Sequence, residues 1–306
     1  MSGRDWKGPA AAAAMALLFG GSFTGTKVAL ESFTPAQLIF LRFAAASVLF
    51  LVVLPFRKTP LPDRRDVAGL FLMALFEPGL YFYAEAEGVK RTLASTAAIL
   101  ISTIPLFVLV LEALWFKTRV RLGEVGLILS SLGGIFLIVT AGGTGQAFGG
   151  TLAGNGLVLL AALTASVYTL LAKRLLARMD ALTVTFCQSA FASLLYLPFA
   201  LRDFGRSAPD VSPRSAWALS YLALFCSFLA YWLLNYSLGR MRATFVAAFT
   251  NVIPVVGIAV AVLFLRERLY PMQFLGGAVV LSSMTALTVL EPRWRKETAT
   301  GTPAGG

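Results

Sequence analysis

The chain has 306 residues, of which 58% are hydrophobic and only 13% charged, where a soluble domain carries about a quarter charged residues. Mean hydropathy is +0.77, and the apolar residues come in blocks of about twenty, the length that crosses a hydrocarbon core. That excludes a soluble globular fold. The lack of period-two alternation disfavours a β-barrel, and the net charge of +11 sits in loops too short to form a nucleic-acid face.

Taken in order, the sequence predicts ten apolar helices. Span 1 covers about residues 9–30, after a short head with Arg4 and Lys7. A basic head before an apolar run also fits a signal peptide, but this run is long for one and similar segments follow. Span 2 covers about 36–56 and is followed by Arg57, Lys58, Arg64 and Arg65. Span 3 is expected over 67–89 and span 4 over 93–116, then Lys117, Arg119 and Arg121 form a basic turn before span 5 at 122–140. Residues 141–154 are glycine-rich and uncharged. They lack the Gly-Lys-Ser/Thr of a phosphate loop and follow an apolar helix rather than a strand, so they read as a linker. Span 6 is expected over 157–176, with Lys173, Arg174 and Arg178 at its end, and span 7 over 182–201. After a polar loop at 202–215 come span 8 at 216–238, span 9 at 243–265 and span 10 at 272–290. The tail from Glu291 is polar and ends in Gly, Thr and Ala, the composition of a disordered terminus.

The spans repeat. A shift of 149 residues lays Ala74-Leu75-Phe76 on Ala223-Leu224-Phe225, Arg91 on Arg240, and Ala98 on Ala247. It also lays Ile104-Pro105 on Ile253-Pro254 and Arg119 on Arg268, with no gap. The ungapped register and the shared intramembrane proline mark two related halves. Five spans per half is an odd number, so the second half enters the membrane from the opposite side. The expected fold is therefore all-α and integral to the membrane, with ten transmembrane helices as two inverted five-helix repeats around a central cavity. The divisions are a first repeat at 1–140, a linker at 141–154, a second repeat at 155–290 and a polar tail at 291–306. With the N-terminus inside, the inner segments hold 17 Lys and Arg against 8 in the outer loops, which puts both termini in the cytoplasm of a plasma (inner) membrane protein.

Several polar residues fall inside these spans. Glu77 sits mid-span directly before Pro78-Gly79. A charge there costs about 2.5–3.5 kcal/mol on insertion scales, so it faces a cavity, pairs, or is neutral. It reads either as a site for a proton or a substrate ammonium, or as a structural hydrogen bond to a neighbouring helix. Pro78 also frees a backbone carbonyl and kinks the helix. Tyr81 shares its face at helical spacing, and Glu85 continues that stripe. Glu85 and Glu87, beside Lys90 and Arg91, read as interfacial ion-pair partners. Tyr231 and Asn235 are spaced i, i+4 in span 8. Asn251 precedes Pro254, as Ser102 precedes Pro105, and these small polar groups either satisfy backbone freed by the proline or line the crossing of the two halves. Phe19, Ser22 and Phe23 in span 1 and Tyr168 in span 6 add aromatic and hydroxyl walls suited to apolar or aromatic solutes. Arg42 aligns with Gln188 and reads as a polar helix contact rather than a substrate anchor. Gly133-Gly134 and Gly276-Gly277 read as close-packing positions, within one protomer or at a dimer seam.

Chemistry of other kinds finds little material. The chain has no histidine, which removes the commonest metal ligand and the usual neutral-pH acid or base. Cys187 and Cys226 lie in apolar segments and make no disulfide framework. No serine–lysine pair stands at matched depth, so no catalytic constellation, metal site or cofactor is expected.

The motifs resemble the EamA-type, ten-helix branch of the drug/metabolite transporter superfamily. In the first half the resemblance rests on Phe19-Gly20-Gly21-Ser22 with Lys27, Pro35 with Arg42-Phe43, Tyr83-Ala84-Glu85-Ala86, Ala94-Ser95-Thr96-Ala97-Ala98 and Pro105. In the second it rests on Ala165-Ser166-Val167-Tyr168, Tyr231, Ala243-Thr244, Asn251-Val252-Ile253-Pro254, Leu265-Arg266-Glu267-Arg268-Leu269 and Gln273-Phe274-Leu275-Gly276. Phe19 stands where that family often has tryptophan, and Thr118 where it often has a glutamate matching Glu267. The resemblance implies export of small organic solutes, often amino acids or related metabolites, through a central cavity. The expectation is a secondary transporter working by alternating access, with a small-molecule solute and membrane lipids as partners, no nucleic acid, and a monomer or dimer. The alternatives are drug or cation efflux and a lipid-flippase-like protein.

Overall fold

The computed structural model describes residues 6–56, 62–116, 122–140, 151–241, 246, 249–250, 252–267 and 271–300. Among them every regular element is a helix. Six segments are long and apolar enough to cross a membrane: Pro35–Val53, Arg64–Arg91, Ala94–Leu111, Leu152–Leu175, Ala181–Arg206 and Pro213–Arg240. Shorter apolar stretches cover Val125–Gly134, Val252–Leu265 and Phe274–Ser283. Asn251, the basic residues Arg57, Lys58, Lys117 and Arg119, Thr118, and the glycine-rich stretch 141–150 lie outside the described residues.

Helix starts follow local chemistry. α1 (Lys7–Gly20) and α2 (Ser22–Ala29) are one apolar run interrupted at Gly21. α3 (Pro35–Val53) opens on a capping box: Thr34 accepts from the Gln37 amide, Gln37 accepts from the Thr34 amide, and Pro35 fills the first turn where no donor is needed. Thr151 caps α9 (Leu152–Leu175), Asp180 caps α10 (Ala181–Arg206), and Ser212 caps α11 (Pro213–Tyr221). The cap at Thr151 starts the helix earlier than the expected residue 157. The last helix, α14 (Pro271–Thr300), continues past Leu290, so residues 291–300 are helical rather than the disordered tail that composition suggested.

Several long segments are broken in mid-course. α4 (Arg64–Ala74) and α5 (Tyr81–Arg91) are joined by a wide turn at Leu75–Leu80, in which Glu77 leaves helical geometry (φ −146°, ψ 121°). Pro78 offers no amide, so the regular ladder cannot run through this point. α11 and α12 (Tyr231–Arg240) are joined by a similar wide turn at Leu222–Ala230, with Cys226 in the position of Glu77. α6 (Ala94–Ile101) and α7 (Ile104–Phe116) part at Ser102 and Thr103. There the Ser102 hydroxyl donates to Ile99 O (2.6 Å) and the Thr103 hydroxyl to Leu100 O (2.6 Å). Polar side chains thus satisfy carbonyls freed by a break where no water can do so.

The bundle has a largely apolar core that also encloses charged and polar groups, and an exterior that exposes large apolar side chains. Arg42, Glu77, Glu85, Gln188 and Asn235 are buried, while Leu114 (73%), Phe136 (66%), Leu263 (75%) and Phe264 (70%) are exposed. Lipid tails solvate the second group without cost, and only the bundle interior can hold the first. α3 packs along α10, α5 along α9, and α1 against α12 and α13 (Val252–Leu265). α8 (Leu122–Thr140) packs along α14. A Cβ on Gly134 would lie 2.8 Å from Gly276 O, so these helices approach within the protomer. Gly133 faces open space. The protein is integral to the membrane.

Candidate functional site

The breaks in the helices converge on one central cavity of about 80 Å³. Phe19, Ser22, Phe23, Arg42, Glu77, Tyr81, Phe82, Tyr168 and Tyr231 line it. The turn at Leu75–Leu80 carries Glu77 inward, where the Tyr231 hydroxyl donates to its carboxylate. The turn is braced from behind by Tyr196, whose hydroxyl donates to Gly79 O (2.8 Å). The aromatic walls meet edge to face. Ring centroids lie 5.1 Å apart for Phe19 and Tyr231, 4.8 Å for Tyr81 and Phe82, and 6.4 Å for Tyr168 and Tyr231. Such pairs are stiff and mutually attractive, so the cavity has a defined shape.

One charged residue here corrects the sequence reading. Glu85 does not pair with Lys90 or Arg91. It is 1% exposed, and its Oε1 has no hydrogen-bond partner. Only Glu87 makes the expected pairs, at 3.5 Å to Lys90 and 3.0 Å to Arg91. The helix turns Glu85 away from the interface and toward Arg42. Arg42 makes the polar contact to a neighbouring helix that the sequence suggested. It donates from Nε to Ser227 Oγ (2.8 Å) and lays its guanidinium over the Phe82 ring at 4.2 Å. Its Nη2 is buried without a partner, on the edge of the cavity. The signal in the sequence was Arg42 itself, a full charge in the middle of an apolar span.

A second polar cluster lies next to the cavity. The Tyr168 hydroxyl shares its one proton between Asn235 Oδ1 (2.9 Å) and Gln188 Oε1 (3.1 Å), and Asn235 Nδ2 donates to Thr185 Oγ1 (2.9 Å). Beyond it is a larger cavity of about 640 Å³, lined by Val53, Met179, Trp232, Asn235, Gly239 and Arg240. Tyr168 lines the first cavity and Asn235 the second, so their hydrogen bond lies in the partition between them.

Two lysines strap helix ends together. Lys27, in the last turn of α2, donates to Thr92 O (2.9 Å) and to Glu267 Oε1 (3.1 Å). Glu267 also accepts from the Ala94 amide (2.9 Å), the Ser95 amide (3.1 Å) and the Ser95 hydroxyl (2.7 Å), so it caps α6. Burial opposes its ionisation, but these donors and the Lys27 charge together hold its carboxyl below the ordinary glutamate range. Lys173, in the last turn of α9, donates to Leu238 O (2.5 Å) and Met241 O (2.8 Å). Thr92 and Met241 are 149 residues apart, the offset of the sequence repeat.

Of the sequence-predicted site residues, Phe19, Ser22, Phe23, Glu77, Tyr81, Tyr168 and Tyr231 share the central cavity. Asn235 lies one hydrogen bond away from it. Ser102 does not reach it, because its hydroxyl is spent on Ile99 O. Asn251 lies outside the described residues. Among the described residues no cluster of three His, Cys, Asp or Glu could hold a metal, and Cys187 and Cys226 are free thiols.

A bundle with an apolar exterior, helices broken at the centre and a buried, aromatic-walled pocket of charged groups has the architecture of a membrane transporter. The chain belongs to the EamA-like transporter family, whose family profile matches residues 6–140 and 152–289. It is 28% identical over 279 residues to the uncharacterized transporter YcxC of Bacillus subtilis, covering 89% of each chain. An uncharacterized transporter of Archaeoglobus fulgidus is 28% identical over 275 residues, with 89% of this chain and 94% of the relative covered. A probable terminal-alkyne amino-acid exporter of Streptantibioticus cattleyicolor is 25% identical over 283 residues, covering 91% of this chain and 92% of the relative. These relatives are named as transporters, not enzymes. One crystal structure shares the fold at a TM-score of 0.66 and 18% identity, over 94% of this chain and 98% of that one.

Proposed function

We propose that this protein is a secondary transporter that exports small organic solutes, amino acids with aromatic or hydrophobic side chains above all, by alternating access through the central cavity. It does so from a plasma membrane with both termini cytoplasmic, as two inverted five-helix repeats joined at the glycine-rich segment. The 149-residue repeat, the matching helix breaks at Leu75–Leu80 and Leu222–Ala230, and the matching lysine straps support the inverted arrangement. The positive-inside count supports the orientation. The name of the Streptantibioticus relative supports an amino-acid cargo.

The observation that carries the reading is Glu77. It is a buried carboxylate, held by Tyr231 from the other half of the chain, inside an aromatic-walled cavity. It can take a substrate ammonium group or a proton. A cavity of about 80 Å³ is smaller than the 300–1,000 Å³ of a ligand-filled site, which suits a closed state between openings.

Purified protein in liposomes, screened by counterflow with labelled amino acids, nucleosides and cationic drugs, tests the cargo. Saturable exchange of aromatic or aliphatic amino acids is the expected result. Exchange confined to cationic drugs, or lipid scrambling without solute exchange, would replace the reading. If Glu77 couples protons, Glu77→Gln abolishes the pH dependence of flux and leaves counterflow intact. An unchanged pH profile retires that role.

A further inference from the structure

We infer that Arg42 anchors the carboxylate of the transported solute, opposite the Glu77 carboxylate that receives its ammonium group. The inference rests on the amino-acid reading above and assigns the second half of the recognition.

Arg42 is the cationic residue of the central cavity, and it is 1% exposed. A guanidinium presents five donors in a planar fork that matches a carboxylate edge to edge. Here Ser227 occupies Nε, and the Phe82 ring covers one face of the plane. Both contacts fix the orientation of the fork without neutralising it. Nη2 is left buried with no acceptor. A buried donor of a charged group is costly to leave unpaired, and a site that loads and unloads a ligand must leave one so.

Within the protein, Glu85 is the competitor. It lies within electrostatic reach of Arg42, yet its own Oε1 is unpartnered. The two groups do not close into a hydrogen-bonded pair, and Glu77 adds a second acceptor to the cavity lining. A lone ammonium would satisfy Glu77 and leave the fork empty. A zwitterion satisfies both ends. The cavity of about 80 Å³ exceeds the roughly 10–15 Å³ that one water needs on the same measure, so a small charged head group fits it. The aromatic walls of Phe19, Tyr81 and Tyr168 then take the side chain.

The test uses the full chain in liposomes and three probes of one side chain: L-phenylalanine, its carboxamide, and 2-phenylethylamine. In the wild type the amino acid competes for counterflow more strongly than the carboxamide by about tenfold or more, the worth of one charged hydrogen-bonded pair. In Arg42→Gln that advantage falls to near one, while competition by 2-phenylethylamine is unchanged. Ser227→Ala frees Nε, leaves the charge in place and keeps the advantage. Wild-type protein that exchanges all three probes equally overturns the anchor while leaving the transporter reading intact. So does an Arg42→Gln variant that still prefers the acid. Wild-type protein that exchanges none of them overturns the amino-acid reading and the anchor together. The wild-type comparison needs no variant to fold, so loss of Arg42→Gln to misfolding does not shield the proposal.

Discussion

The Tyr231 hydroxyl hydrogen-bonds the Glu77 carboxylate across 154 residues of sequence. This contact joins the break in one half of the chain to the start of α12 in the other, at the point where both line the same cavity. Tyr231→Phe removes the donor and keeps the ring contacts with Phe19 and Phe43. The expected result is a folded protein whose apparent KM rises about tenfold, since a hydrogen bond to a charged group is worth about 1.5–3 kcal/mol. Counterflow against solute concentration reads it, and an unchanged KM would show that Tyr231 only packs.

The partition at Asn235 makes a stability prediction. Asn235→Ala removes one hydrogen bond each from Tyr168, Thr185 and Gln188 in one step, leaving Tyr168 on Gln188 and Thr185 on Ala181 O. Each buried hydrogen bond lost costs about 0.5–1.5 kcal/mol. The variant should melt well below the wild type in detergent, and more so than Ser193→Ala, whose hydroxyl bonds only within its own helix. Equal melting temperatures would mean that water fills the gap from the larger cavity.

The Glu267 cap is sensitive to pH, and the sign follows from its environment. A carboxyl held below its ordinary value of 4.5 in the folded state stabilises that state above 4.5. The contribution disappears as pH falls through the folded-state value. Wild type should therefore melt higher than Glu267→Gln at pH 7, by about 2 kcal/mol in stability, and the two curves should converge in strong acid. Parallel curves down to pH 3 would indicate that Glu267 contributes only as a neutral acceptor.

Gly134 tests the close approach of α8 and α14. A Cβ there would sit 2.8 Å from Gly276 O and 3.1 Å from Val280 N, both backbone atoms that cannot swing aside. Gly134→Val should cost about 1–3 kcal/mol through overpacking, while Gly133→Val, facing open space, should cost far less. Thermal melting of the two variants side by side gives the answer.

The sequence carried the large-scale plan because lipid imposes simple rules. Apolar blocks announced the spans, Pro78 announced the break at Glu77, and the stripe of Glu77 and Tyr81 announced an inward face. Seven of the named residues meet in one cavity because each sits on the polar side of an otherwise apolar helix. Sequence position misled where depth and rotation had to be known. Glu85 is only two residues from Glu87, yet one is buried in the bundle and the other pairs with Lys90 and Arg91, a difference set by helix phase. Ser102 looked like a lining group, but spacing does not say whether a hydroxyl points into a cavity or back to its own helix. The Lys27–Glu267 contact spans 240 residues, and nothing local in either segment foretells it.

That contact has a counterpart at Lys173, where among the described residues the ammonium meets only the main-chain oxygens of Leu238 and Met241. Drawing Glu267, which follows α13, away from α2 and α6 breaks three hydrogen bonds and an ion pair, whereas separating α9 from the end of α12 loses two carbonyl bonds. The two lysine clusters are therefore held with unequal strength, one by an ion pair and the other by main-chain hydrogen bonds alone.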